Sequence, residues 1–158
     1  MTAATAPAQR HATCVDVDGI GVLILGDAGA GKSDLALRLI DGGAKLVADD
    51  RTDVRREGGL LIATAPHALK GRMEVRGIGI VPLPPEQVLA ETTLAFAVRL
   101  QAQPTIPRLP EPQQETILDV ALPLWRIDPA AASAPARMRL LAQALKRGIV
   151  RFDDDLTS

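Results

Sequence analysis

Residues 26–33 read Gly26-Asp27-Ala28-Gly29-Ala30-Gly31-Lys32-Ser33, a Gly-x4-Gly-Lys-Ser spacing. A turn with so little side-chain bulk lets several backbone N–H groups converge on phosphate oxygens at a helix N-terminus, where the peptide dipoles favour an anion. There Lys32 would reach the terminal phosphates of a nucleoside triphosphate, and the Ser33 hydroxyl would ligate Mg²⁺. Phosphoryl transfer also needs a group that orients or deprotonates the acceptor, and the chain offers the acidic pair Asp49-Asp50. Because strand side chains alternate faces, one carboxylate could serve the metal and the other an acceptor hydroxyl. Glu74 and Arg76, on one face if 73–80 is a strand, are further candidates for metal and phosphate, while Gly77 and Gly79 could mark close backbone approach. Each feature has a plainer reading: a flexible turn for 26–33, a polar turn into Arg51 for the acidic pair, a solvated sheet face for Glu74 and Arg76. His11, His67 and Cys14 have no claim to chemistry from their own surroundings, and Cys14 reads as a small buried apolar residue.

The elements that must position these groups are legible in outline. Residues 13–17 and Ile20–Leu25 are β-rich runs around Asp18-Gly19, a strong hairpin signal, so the Gly-rich loop follows the second strand of a hairpin. Leu35 with Leu39, and Ala36 with Ile40, pair at helical spacing up to the stop at Gly42-Gly43. Lys45–Ala48 is a short strand ending at the acidic pair, and 52–56 and 60–64 flank Gly58-Gly59 as a second hairpin. A loop over 66–72, a strand over 73–80, a short helix opened by Pro84-Pro85 and running to Glu91, and a strand over 94–100 follow. Four of the 12 prolines fall in 104–112, which marks a surface loop. Residues 116–127 are strand-like with a break at Pro123, and Ser133 with Pro135 opens a helix with Met138, Leu141, Ala142 and Leu145 on one face, ended by Gly148.

At 158 residues the chain suits one domain with one sizeable core. Residues 1–10 read as a loose leader without the basic start or apolar stretch of a signal peptide, 11–152 as the domain, and 153–158 as an acidic tail. A net charge of -1 offers no global attraction to nucleic acid or anionic membrane, and the scarcity of aromatics, with Tyr absent, leaves no stacking platform for bases. A lone cysteine and the lack of a long apolar run suggest a reducing cytoplasm and no membrane span. Asn-Lys-x-Asp, His-Arg-Asp and Asp-Phe-Gly are all missing, which removes GTPases and the common protein kinases.

His11, then Val15-Asp16-Val17-Asp18-Gly19-Ile20-Gly21-Val22-Leu23-Ile24, the Gly-x4-Gly-Lys-Ser loop, Leu46-Val47-Ala48-Asp49-Asp50 and Met73-Glu74-Val75-Arg76-Gly77-Ile78-Gly79-Ile80 together resemble the catalytic domain of bacterial HPr kinase/phosphorylase. The resemblance is dense over residues 11–81 and thin beyond. It implies an α/β fold of the phosphoenolpyruvate-carboxykinase-like P-loop type, with a mixed β-sheet and a C-terminal helix. It also implies ATP and Mg²⁺ as cofactors, a seryl hydroxyl on an HPr-like phosphocarrier as acceptor, and a reverse phosphorolysis from inorganic phosphate to pyrophosphate.

Carried onto this chain, the resemblance makes Asp50 the base toward serine and the acid in reverse, assisted by His11. Lys32 binds phosphate within the 26–33 loop, Ser33, Asp49 and Glu74 surround Mg²⁺, and Arg108 in Pro107-Arg108-Leu109 matches an active-site arginine. A hexamer, and a basic C-terminal helix touching the carrier through residues such as Arg137, Arg139, Lys146 and Arg147, are further family expectations. The chain departs from the family at Ala28 and Asp34, where members usually carry Ser and Glu, and at Arg126-Ile127-Asp128-Pro129, a loose counterpart of a Pro-Val-Lys-Pro-Gly-like segment. With no counterpart of the N-terminal domain of long members, it resembles the short form found in some proteobacteria. A non-catalytic ATP-responsive regulatory module and a small-metabolite P-loop kinase stand as the competing functions.

Overall fold

Asp18 and Gly19 both take positive φ, 53° and 89°, as a two-residue turn must if its twist is to match the strands it joins. That turn connects β2 (Ala12–Val17) to β3 (Ile20–Leu25) in register from Ala12↔Leu25 to Val17↔Ile20. The computed structural model describes residues 6–148. From β3 the chain passes through the Gly-rich loop into α1 (Lys32–Asp41), turns at Gly42-Gly43, and returns as β4 (Lys45–Ala48) antiparallel to β2.

A second hairpin, β5 (Thr52–Glu57) and β6 (Leu60–Thr64), leads through β7 (Arg72–Val75) and β8 (Gly79–Pro82) to β9 (Glu91–Leu100). With β1 (Ala8–Arg10), the strands order as β1-β5-β6-β9-β3-β2-β4. β9 is the hinge of this sheet: its first residues pair antiparallel with β6, and its later ones run parallel to β3 on one pairing and to β11 (Val120–Ile127) on another. β10 (Gln113–Ile117) pairs with β11, and α2 (Ala134–Lys146) closes the described chain. The sheet is therefore mixed, and the fold is α/β with a C-terminal helix.

Both faces of the central strands are covered, which is why β2 and β3 read as continuous apolar runs. Val15, Val22, Ile24, Phe96 and Val98 point to the helix layer, where they meet Leu35 and Leu39 of α1 and Met138 of α2. Cys14, Leu23, Leu25 and Ala97 point the other way, against Val54, Leu61, Ala63 and Ile117. The 3.6-residue spacing of Leu35, Ala36, Leu39 and Ile40 puts one stripe of α1 on the sheet, so the loop before it is held rigidly at both ends.

Four sequence expectations change. Residues 8–10, expected as part of a loose leader, form an edge strand on β5 (Ala8↔Val54, Arg10↔Thr52); backbone pairing needs no apolar pattern to announce it. The expected single strand over 73–80 is a hairpin, β7 and β8, with Gly77 at φ 84° in its turn, so Glu74 lies on a strand and Arg76 in the turn, not on one shared face. Only a 3₁₀ turn at Pro85–Gln87 replaces the expected helix, since Val88 is extended and bridges to Leu46, covering the outer edge of β4. The break in 116–127 falls at Leu118-Asp119, both at positive φ; Pro123 sits inside β11, before the pairing with β9 begins at Leu124, where a missing N–H leaves no bond unmade. Residues 1–5 of the leader, Phe152 and the acidic tail at 153–158 lie outside the described residues.

Candidate active site

Gly31 at φ 101° is the residue that admits the sharp entry from the loop into α1, a conformation that costs a residue with a Cβ about 1–2 kcal/mol. The Ala30 N–H closes a turn on the Asp27 carbonyl (2.9 Å), and the loop leaves β3 on the sheet's ligand-facing end. Lys32, in the first turn of α1, is buried at 5% exposure and curls back along the loop: Nζ donates to the carbonyls of Gly26 (2.7 Å) and Asp27 (3.1 Å). Its third proton faces Asp50, whose Oδ1 lies 3.8 Å away.

The two acidic residues diverge sharply. Asp49, 7% exposed, accepts the Ser33 hydroxyl at 2.6 Å and the Thr13 hydroxyl at 3.2 Å on Oδ1, and the Glu74 N–H at 3.0 Å on Oδ2. Asp50 keeps its carboxylate 53% exposed to the cleft. Strand pleating is not the cause, because β4 ends at Ala48 and Asp50 has φ 65°; a tight turn separates the carboxylates, closed by the Arg51 N–H on the Asp49 carbonyl (2.8 Å). β7 is brought to the pair by the fully buried Met73, packed in the helix-side core, which leaves neighbouring Glu74 facing outward.

One cleft of about 760 Å³ is walled by Ala28, Gly29, Gly31, Lys32 and Ser33 on one side and by Glu74 to Gly79 on the other, with Asp50 between and Asp49 buried behind Ser33, off the cleft wall. Oxygen donors only are on offer to a cation. Among the described residues there is no cluster of three or more His, Cys, Asp or Glu side chains. The hydroxyl of Ser33 and the carboxylates of Asp49 and Glu74 suit Mg²⁺, which binds through one or two carboxylates plus phosphate oxygens and water.

The family model described as the HPr Serine kinase C-terminal domain matches residues 3–138. This chain belongs to that family. Among its relatives, the HPr kinase/phosphorylase of Clostridium novyi is 42% identical over 106 residues, which is 64% of this chain and 34% of the relative. That of Clostridium tetani is 50% identical over 80 residues, 50% of this chain and 26% of the relative. The chain thus spans about a third or less of the length of these relatives. In structure it is similar to the Hpr(Ser) kinase/phosphatase from Coxiella burnetii, with a TM-score of 0.80 and 29% identity, covering 90% of this chain and 98% of that one.

Not every residue expected at the site of this HPr kinase domain lines the cleft. His11 is exposed at the bend between β1 and β2, held beside the backbone after the acidic pair because Arg10 pairs with Thr52 and the Ala12 carbonyl accepts Thr52 Oγ1 (2.8 Å). Arg108 is exposed in the Pro-rich loop and is not part of the cleft wall. Asp34 and Leu37, in the first and second turns of α1, do line it, as does Val75. Sequence reasoning missed Thr13, whose hydroxyl links Asp49 to the Asp50 N–H; a threonine in an apolar run reads only as a good strand former.

Two basic residues of α2 are engaged within the fold. Arg139 donates to the Arg38 carbonyl in the last turn of α1 (3.2 Å), and Lys146 donates to the Asp18 carbonyl at the hairpin tip (2.9 Å). Arg38 in turn donates to the Pro129 carbonyl (2.6 Å), while Pro129 packs against Gly31, so the β11–α2 connection braces the Gly-rich loop.

Proposed function

We propose that this domain transfers the γ-phosphoryl group of ATP to a seryl hydroxyl of an HPr-like phosphocarrier protein, and catalyses the reverse phosphorolysis with inorganic phosphate as acceptor. The observation that carries this reading is the meeting of Lys32, Ser33 and Asp50 at one cleft, with Asp49 buried behind it on the Ser33 hydroxyl, in a chain of the HPr kinase family. Ser33, Asp49 and Glu74 are the residues that would hold Mg²⁺, which when bound would offset the negative charge of the nucleotide's phosphates.

In the forward direction Asp50 takes the proton of the acceptor hydroxyl as the serine oxygen bonds to the γ-phosphorus and the bond to the β-phosphate oxygen breaks, releasing ADP. A serine hydroxyl is a weak nucleophile, so a carboxylate in the open, beside but not capped by a lysine, fits that task. Lys32 supplies positive charge to the transferring group. In reverse an oxygen of inorganic phosphate bonds to the phosphoserine phosphorus as the serine O–P bond breaks, pyrophosphate leaves, and Asp50 passes the proton given up by the phosphate to the serine oxygen. His11 assists Asp50 from the neighbouring bend, and Arg108 joins the site on its loop when carrier and nucleotide are bound. A homo-hexamer in the cytoplasm, with α2 toward the carrier, completes the reading.

The test is to mix the protein with ATP, Mg²⁺ and each HPr-like carrier of its own cell and to follow intact mass. A gain of one phosphoryl group at serine is expected, with loss of that group and appearance of pyrophosphate on adding phosphate. Asp50→Asn should lower the forward rate by about 10²–10⁴-fold, the span of general base catalysis. Phosphorylation that survives Asp50→Asn at near-normal rate overturns the role of that carboxylate, and ATP binding with no phosphorylated carrier points to the regulatory module.

A further inference from the structure

Thr13 is fully buried in β2, at the strand's end nearest the acidic pair. Its hydroxyl uses both of its capacities there. Oγ1 gives its single proton to Asp49 Oδ1 (3.2 Å) and accepts the N–H of Asp50 (3.0 Å), so one side chain holds both members of the pair.

Asp50 depends on such an anchor. With φ at 65° and the Arg51 N–H bonded back to the Asp49 carbonyl, it is the centre of a three-residue turn of the positive-φ kind, which residues with a Cβ seldom adopt and which persists only when its surroundings hold it. Relaxation of that residue to negative φ would turn its carboxylate away from Lys32 Nζ, now 3.8 Å off. Asp49 is anchored by the same hydroxyl on the oxygen that also receives Ser33. An apolar residue of equal size in place of Thr13 would fill the space and hold neither.

We infer that Thr13 is a positioning residue of the phosphoryl-transfer site: its hydroxyl keeps the Asp49-Asp50 turn in the conformation that presents Asp50 to the cleft while Asp49 stays on Ser33. This rests on the reading of Asp50 as the base. It adds a hydroxyl to the site that touches neither nucleotide nor acceptor and acts only through the two carboxylates.

Thr13→Val preserves volume and removes both bonds, whereas Thr13→Ser keeps the hydroxyl. For T13V, kcat in carrier phosphorylation falls about 10–100-fold, the usual effect of losing an orienting hydrogen bond behind a reactive centre, and T13S recovers most of it. KM for ATP changes less than kcat, since Lys32 keeps its bonds to the Gly26 and Asp27 carbonyls and Asp49 keeps those from Ser33 and the Glu74 N–H. Independently of any carrier, hydrogen exchange at the Asp50 amide of the free protein rises about tenfold or more in T13V and stays slow in T13S.

Asp50 amide exchange that T13V leaves unchanged overturns the inference. So does an undiminished kcat for T13V when the wild type phosphorylates its carrier. A wild type that transfers nothing to any carrier, with Asp50 exchange responding to T13V as stated, overturns the kinase reading and supports the anchoring of the turn by Thr13. Should T13V fail to fold, Thr13→Ala, which removes atoms without adding apolar bulk, is read by the same two measurements.

Discussion

Lys32 stands at 5% exposure with two of its three protons on backbone carbonyls, partners that fix where its ammonium group points. Lys32→Ala should weaken ATP binding by about 1.5–3 kcal/mol, the range for hydrogen bonds to a charged group, measured by calorimetry with the fold checked by circular dichroism. Cys14 shows the opposite treatment of a titratable group. Burial in the apolar layer pushes its thiol pKa far above the ordinary 9.0, and the nearby Asp16 carboxylate pushes it the same way. The folded thiol therefore stays protonated where the unfolded one ionises. Its contribution is fully present below about pH 9 and is lost as pH rises above it, by up to about 1.4 kcal/mol per pH unit. Cys14→Ala should flatten that alkaline decline in urea midpoints between pH 8 and 10, and native Cys14 should resist maleimide until the protein is unfolded.

At the scale of elements, β3 comes close to β9 at Gly21. A Cβ on Gly21 would strike the Thr93 carbonyl oxygen and the Thr92 side chain, and Thr92 cannot swing away freely because its hydroxyl is donated to the buried Asp16 (2.6 Å). Gly21→Ala should thus destabilise by about 1–3 kcal/mol through overpacking, seen as a lower urea midpoint at unchanged m. α2 illustrates a different compromise. Its Arg139 and Lys146, which the resemblance turns toward a carrier, pin the helix to the end of α1 and to the β2–β3 turn. Ser133, expected as a hydroxyl cap, instead accepts Arg137 Nε (2.9 Å), since Pro135 in the first turn leaves fewer N–H groups to satisfy.

For the molecule as a whole, the loop and the acidic turn are held by strands of one sheet with cores on both faces, and β7, paired with β8 in a sheet of its own, is tied to the same core by Met73, so binding at the cleft is coupled to global stability. MgATP at about 100 times its Kd should stabilise the native state by about 2.7 kcal/mol, raising Tm by about 5–10 °C. Lys32→Ala should lose most of that shift in a thermal-denaturation titration. A shift retained in full would show that the nucleotide binds elsewhere.

The loop at 26–33, the hairpin before it and the helix after it were legible because each rests on local rules: glycine at turns, period-two and 3.6-residue apolar spacing, Asp-Gly between strands. The hairpins of 52–64 and the helix opened by Pro135 were legible for the same reason. What local rules cannot carry is which distant backbone groups meet. The strand pairing of Ala8–Arg10 and the place of Pro123 depend on a neighbour dozens of residues away. So does the site itself: residue types at 32, 33, 49 and 50 were set by the chain. Which carboxylate is buried on Ser33 and which faces the cleft was decided by the packing of β2 against β4, where a single threonine hydroxyl reaches the turn between them.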